Sequence, residues 1–101
     1  MVTLETFHQS LAQEAPPAGI PQALQALWWA GKHDWEKSHN FAQADASKDG
    51  SWVHAYLHRV EGDLSNAGYW YRRAGRKPAE SALEEEWEAL AAHFLEEDKP
   101  R

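Results

Sequence analysis

Residues Ser51 to Gly75 read SWVHAYLHRVEGDLSNAGYWYRRAG, and the order of apolar, small and turn-forming residues predicts two helices joined by a tight turn. Ser51 is expected to cap the first, its hydroxyl taking an orphan backbone N–H, and that helix is expected to run to about Glu61. Gly62 ends it. Asp63 caps the second, which continues through Tyr69, Trp70 and Tyr71 to Gly75, with Pro78 closing the segment. At 100° per residue, Trp52, Val53, Tyr56, Leu57 and Val60 share one side of the first helix, and Leu64, Ala67, Trp70, Tyr71 and Ala74 share one side of the second. These faces are expected to pack as an antiparallel pair, with Ala67, Gly68 and Ala74 admitting close approach and the rings supplying most of the apolar area.

Working outward, Leu4, Phe7, His8 and Leu11 recur at helical spacing and predict an N-terminal helix from about Thr3 to Ala15, ended by Pro16-Pro17-Ala18-Gly19. Pro21 suits the first turn of a second helix running to Ala30, with Leu24, Leu27 and Trp28 on its apolar face. Gly31-Lys32-His33 reads as a turn, and Asp34 caps a third helix holding Trp35, Ser38, Phe41 and Ala42. Lys48-Asp49-Gly50 reads as the loop before the central hairpin. Beyond that hairpin, Ser81 and Glu84 have the spacing of a capping box, and Leu83, Trp87, Leu90 and Phe94 form an apolar stripe.

With 101 residues the chain predicts one domain, able to bury roughly two thirds of its unfolded surface. A hydrophobic content of 43% with six tryptophans excludes the composition of a disordered chain. The absence of cysteine excludes a disulfide framework, thiolate metal sites and thiol chemistry. No apolar run has the length of a membrane span, and no basic-then-apolar leader opens the sequence, so no membrane partner and a cytoplasmic location are expected. A net charge of −6 speaks against nucleic acid as a partner.

Shifting the chain by 29 residues places Asp34 on Asp63, Trp35 on Leu64, Ser38 on Ala67, Phe41 on Trp70, Trp28 on Leu57 and Leu24 on Val53. Two hairpins in tandem follow. Gly62-Asp63 followed by Ala67, Tyr71 and Ala74, with Pro78 beyond, resembles the second helix of a tetratricopeptide repeat, and the resemblance extends over roughly Pro21 to Pro78. Ala42 at a large aromatic position and a period below the usual ~34 residues depart from that pattern. The resemblance implies stacked hairpins that recognise a protein or peptide on a concave surface. The WVHAYLHR and YWYRRAG segments also resemble short bacterial proteins, which adds no mechanism.

Three features are candidates for function. Consecutive rings cannot all face one core, so Trp29, opposite Leu24 and Leu27, is expected either to serve as a binding ring or to pack under the N-terminal helix against Phe7 or Leu11. Tyr69, opposite Ala67 and Ala74, is expected to be exposed, with Arg72, Arg73 and Arg76 on its side at i, i+3, i+4 and i+7. No acidic residue lies between Leu64 and Pro78, so this face suits an acidic peptide, unless the eight acidic residues of Glu80 to Asp98 neutralise it internally. Third, His54, His58 and Glu61 fall on one polar stripe at i, i+4 and i+7, a spacing able to present metal ligands, although repeat register would bury both histidines. No metal or other cofactor is expected there, and His33, His39 and His93 add no useful spacing.

No glycine-rich phosphate loop, H-E-x-x-H motif or nucleophile elbow is present, and Glu84-Glu85-Glu86 is accounted for by the dipole of the last helix as a solvated face. The sequence therefore predicts an all-α domain of about six helices, with two tandem hairpins capped by an N-terminal and a C-terminal helix. The expected role is a non-enzymatic interaction or adaptor module for a protein, an acidic peptide or a second copy of the chain. The alternative is a metal- or small-molecule-binding protein using the His54/His58 stripe.

Overall fold

In the computed structural model, which describes residues 2–98, the central helix opens at Ser47 rather than Ser51. Ser47 Oγ accepts the Gly50 N–H at 3.2 Å, and Asp45 Oδ1 accepts the Ser47 N–H at 2.9 Å. Lys48-Asp49-Gly50, expected as a loop, is thus the first turn of this helix. Glycine there is disfavoured by intrinsic propensity, but Gly50 lies so close to the Asp45 carbonyl that a Cβ would collide with it.

The described chain is all-helical. The helices are α1 (Leu4–Gln9, continued by one 3-10 turn Ser10–Ala12), α2 (Gln22–Gly31), α3 (Trp35–Gln43), α4 (Lys48–Val60), α5 (Leu64–Ala74) and α6 (Leu83–Glu97). None is long and apolar enough to cross a membrane.

The α2–α3 and α4–α5 hairpins turn through the same hydrogen bonds, 29 residues apart. Asp34 N–H donates to Trp29 O and Asp63 N–H to His58 O, while His33 N–H donates to Ala30 O and Gly62 N–H to Arg59 O. Asp34 then caps the Lys37 N–H and Asp63 the Asn66 N–H. The turn needs positive φ at one position, met by Gly62 (φ 86°) in the second hairpin and by His33 (φ 63°) in the first. Equivalent positions Leu24 and Val53, Leu27 and Tyr56, Trp28 and Leu57, Ser38 and Ala67, Ala42 and Tyr71 are all buried.

The ends of the chain differ from expectation because tertiary contacts claim their backbone. Helix α1 stops at Gln9 instead of Ala15: Lys32 Nζ reaches across from α2 to the carbonyls of Leu11 (2.7 Å) and Gln13 (2.9 Å), and Trp28 Nε1 donates to Ser10 Oγ at 3.0 Å. Its start is a Thr3–Thr6 capping box. Ser81 and Glu84 form no such box; α6 begins after Ala82 without a side-chain cap, and the Ser81 carbonyl instead accepts from Arg59.

Leu24, Leu27 and Trp28 of α2 meet Val53 and Leu57 of α4, Leu90 and Phe94 of α6, and Phe7 of α1 in one core. Trp87 pins α6 across it, its ring stacked on Phe7 at 5.6 Å and its Nε1 donating to Leu27 O at 2.9 Å. Val60 and Leu64, assigned to apolar faces by the helical wheel, are 43% and 69% exposed: they are the last residue of α4 and the first of α5, on either side of the surface turn. Of the Glu84-Glu85-Glu86 run, only the first two are solvated. Glu86 is buried, accepting from Tyr71 OH (2.5 Å), Arg59 Nη1 (2.9 Å) and Trp52 Nε1 (3.2 Å), and this network ties α6 to the second hairpin.

Candidate functional site

Helix α3 runs beside α4, and the turn spacing of each sets rings against the other. Trp35 and His39 are one turn apart on α3, as are His54 and His58 on α4. Trp35 Nε1 donates to Leu57 O at 2.8 Å, which fixes the indole at the helix junction, and its ring stacks on His39 at 4.7 Å. His39 Nε2 then meets His54 Nε2 at 2.9 Å, with the rings nearly perpendicular. His54 is stacked between His58 (4.8 Å) and Trp70 of α5 (3.8 Å). Three imidazoles thus gather between two indoles, and each offers a ligand atom within 4.8 Å of the others.

His54 and His58 are 4% and 6% exposed, which corrects the reading of their stripe as a polar surface. The wheel placed them beside the packed face, but α3 and α5 both close over that flank. Glu61, expected as their third ligand, lies outside the cluster: His58 Nδ1 pairs with Glu61 Oε1 at 3.1 Å, and His39 takes the third place. His39 was legible in one respect, since Trp35 and His39 form an i, i+4 pair one helix away from His54 and His58. What the sequence lacked was the side of α3 that faces α4.

Burial holds the His54 imidazole down at a pKa of about 4, with the His39, His58 and Arg73 charges acting in the same direction. His39 is lowered too, by burial first and by His58 second, while Glu61 opposes the shift. His54 is therefore neutral at pH 7. Among the described residues His54 Nδ1 is buried without a hydrogen-bond partner, and an unsatisfied buried polar atom costs roughly 1–3 kcal/mol in a folded protein.

The Tyr69 face is arranged differently from the expected fork. Tyr69 is 41% exposed, and Arg73 folds back over it, Nη1 donating to Tyr69 OH at 3.1 Å and the guanidinium lying 5.1 Å from the Trp70 centroid. Arg72 is exposed beside them. Arg76 leaves the group and stacks on Trp52 at 3.4 Å, because that indole, anchored on Glu86, presents a face towards the end of α5. Trp29 does not project as a free ring: it is partly buried against the core, with its ring T-shaped to Trp28 at 4.8 Å and the Lys37 ammonium over it at 4.1 Å.

A mostly apolar cavity of about 380 Å³ is lined by Leu11, Trp35, Tyr56, Val60, Leu83 and Trp87, together with Glu84 and Glu88. Burial, followed by the charges of Glu86 and Glu84, pushes the Tyr56 phenol up to about 12, so it is protonated across the physiological range.

Compared with known proteins, the chain matches no family model, no curated protein and no solved structure. The tetratricopeptide-like resemblance accordingly rests on the residues quoted for it.

Proposed function

We propose that this chain is a small helical adaptor that recognises an acidic segment of a protein partner on the α5 face carrying Tyr69, Trp70, Arg72 and Arg73. The observation that supports this reading best is the Arg73 guanidinium lying over Tyr69 and Trp70. A guanidinium held over aromatic rings is partly pre-organised, and Tyr69 OH engages one of its five donors. A carboxylate that pairs with it loses little side-chain entropy, and the neighbouring rings accept the apolar stem of the same residue.

Two acids of α6 have other partners. Glu86 is held by Arg59 and Glu97 by His93, so the expected internal neutralisation of the patch does not come from these two. Tandem hairpins also suit recognition without chemistry of its own, in keeping with the tetratricopeptide-like resemblance. The reading takes the chain as cytoplasmic.

A fluorescein-labelled peptide alternating glutamate with leucine or tyrosine is the direct probe. Fluorescence anisotropy should report saturable, salt-sensitive binding to the wild type, reduced at least ~10-fold in Arg73→Glu and in Tyr69→Ala. Equal binding by wild type and Arg73→Glu, with both folded by circular dichroism, would reject this face as the recognition surface.

A further inference from the structure

The geometry points to a binding site for one divalent late transition metal ion where α3 meets α4, with His39, His54 and His58 as ligands and Glu61 as the carboxylate behind His58. The site does not rest on the adaptor reading.

The first ground is distance. Ligand atoms of the three imidazoles already lie within 4.8 Å of one another, with the His39 and His54 Nε2 atoms 2.9 Å apart. Two nitrogens at 2.0–2.1 Å from a tetrahedral zinc are about 3.3 Å apart. The pair therefore has to open by only a few tenths of an ångström, and His58 stands one helical turn from His54 on the same side of α4. The proton now held between the two Nε2 atoms moves to an Nδ1. Both rings stay neutral and present their Nε2 lone pairs, so no base is required to load the ion.

The second ground is the outer arrangement. His58 Nδ1 donates to Glu61 Oε1 at 3.1 Å, which fixes the tautomer with the lone pair on Nε2. A carboxylate behind a histidine in this way orients the ring and raises its basicity towards a metal. Trp35 and Trp70 stack on His39 and His54 and hold these rings in place while restricting water.

The third ground is that the fold does not need histidine here. His54 is 4% exposed and keeps an unpartnered Nδ1, where an apolar ring of similar size would fill the space between His58 and Trp70 without leaving a polar atom unsatisfied. An all-imidazole set in a chain without cysteine selects zinc, cobalt, nickel or copper over magnesium or calcium. The protein supplies three ligands and leaves the fourth position to water or to an exogenous group. Among the described residues two other groupings, Asp49/His93/Glu97 and His58/Glu61/Asp63, contain exposed carboxylates and only one imidazole each.

The test uses the full chain dialysed against a chelator and titrated with zinc sulfate by calorimetry and with cobalt chloride by visible absorption. One zinc should bind per chain, and cobalt should give the intense visible bands of a four-coordinate site, bleached by zinc. His39→Gln and His54→Gln should each weaken binding more than ~100-fold, Glu61→Gln should weaken it ~10–100-fold, and His93→Gln and His33→Gln should leave it unchanged. His39 is only partly buried, so His39→Gln carries the test if His54→Gln fails to fold. No zinc uptake by the wild type, uptake that survives His39→Gln, or uptake lost in His93→Gln would each overturn the site. Loss in Glu61→Gln as complete as in His39→Gln would overturn the assignment of Glu61 to the outer shell.

Discussion

Glu84, Glu85 and Glu86 are identical in chemistry and adjacent in the first turn of α6, yet the fold gives them unlike roles. Glu86 faces Tyr71, Arg59 and Trp52, so its charge is solvated by protein donors instead of water. Replacing it by alanine leaves a mostly buried guanidinium without its partner, and a loss of about 3–5 kcal/mol is expected in urea unfolding. Glu84→Ala and Glu85→Ala should stay within about 0.5 kcal/mol of wild type, because both side chains are exposed. Asp49 offers a pH test. Burial comes first, then its contact with Glu97, in raising its pKa from 3.8 to about 6, with His93 opposing. Its ionisation is therefore disfavoured in the folded state. The resulting penalty is fully present above about pH 6 and disappears as pH falls towards the unfolded value. Asp49→Asn should accordingly compare more favourably with wild type in melting temperature at pH 7.5 than at pH 4.5. The opposite ordering would show that His93 dominates the site.

At the scale of the element, α6 is held by a stripe and a latch. Trp87 and Leu90 are nearly or fully buried, so either change to alanine should cost about 2–5 kcal/mol, read from the denaturation midpoint. A midpoint equal to that of wild type would mean that α6 does not dock as described. Helix α4 supplies a test in which local and tertiary preferences have opposite signs. Alanine in place of a helical glycine ordinarily stabilises, by up to about 1 kcal/mol. Gly50→Ala should instead destabilise by about 1–3 kcal/mol, since the new Cβ meets the Asp45 carbonyl and the overlap can be relieved only by moving the helix start.

Across the whole molecule, the two hairpins do not stand as separate units. Their inner faces, with α6 and Phe7, form one core, and Trp87 bonds α6 to the first hairpin while Glu86 bonds it to the second. Unfolding should therefore be two-state: melts followed by far-ultraviolet circular dichroism and by tryptophan fluorescence should coincide. Separate midpoints would show the hairpins unfolding in turn. The histidine cluster and the Tyr69 face lie on either side of Trp70, which stacks on His54 and lies beneath Arg73. Their tests nevertheless remain distinct, because zinc uptake is read on His39 and peptide binding on Arg73.

Helix count, the positions of the two tight turns and the 29-residue repeat were determined by the sequence alone, because they depend on short-range features: capping aspartates, Gly62, and apolar spacing within one helix. Where the sequence misled at α1 and α6, a distant partner had overridden a local preference: Lys32 holds the carbonyls past the end of α1, and Arg59 takes the carbonyl of Ser81. The start of α4 is instead a local signal, the Ser47 cap on the Gly50 N–H. The exposed Tyr69–Arg73 pair was legible as a one-helix pattern. His39 was not, because the meeting of His39 with His54 and His58 depends on how α3 is rotated against α4. That rotation is set by packing of Trp35, Ser38 and Ala42 across helices, through contacts such as Ser38 Oγ donating to Ala26 O at 2.5 Å, and no periodicity within a single segment encodes it.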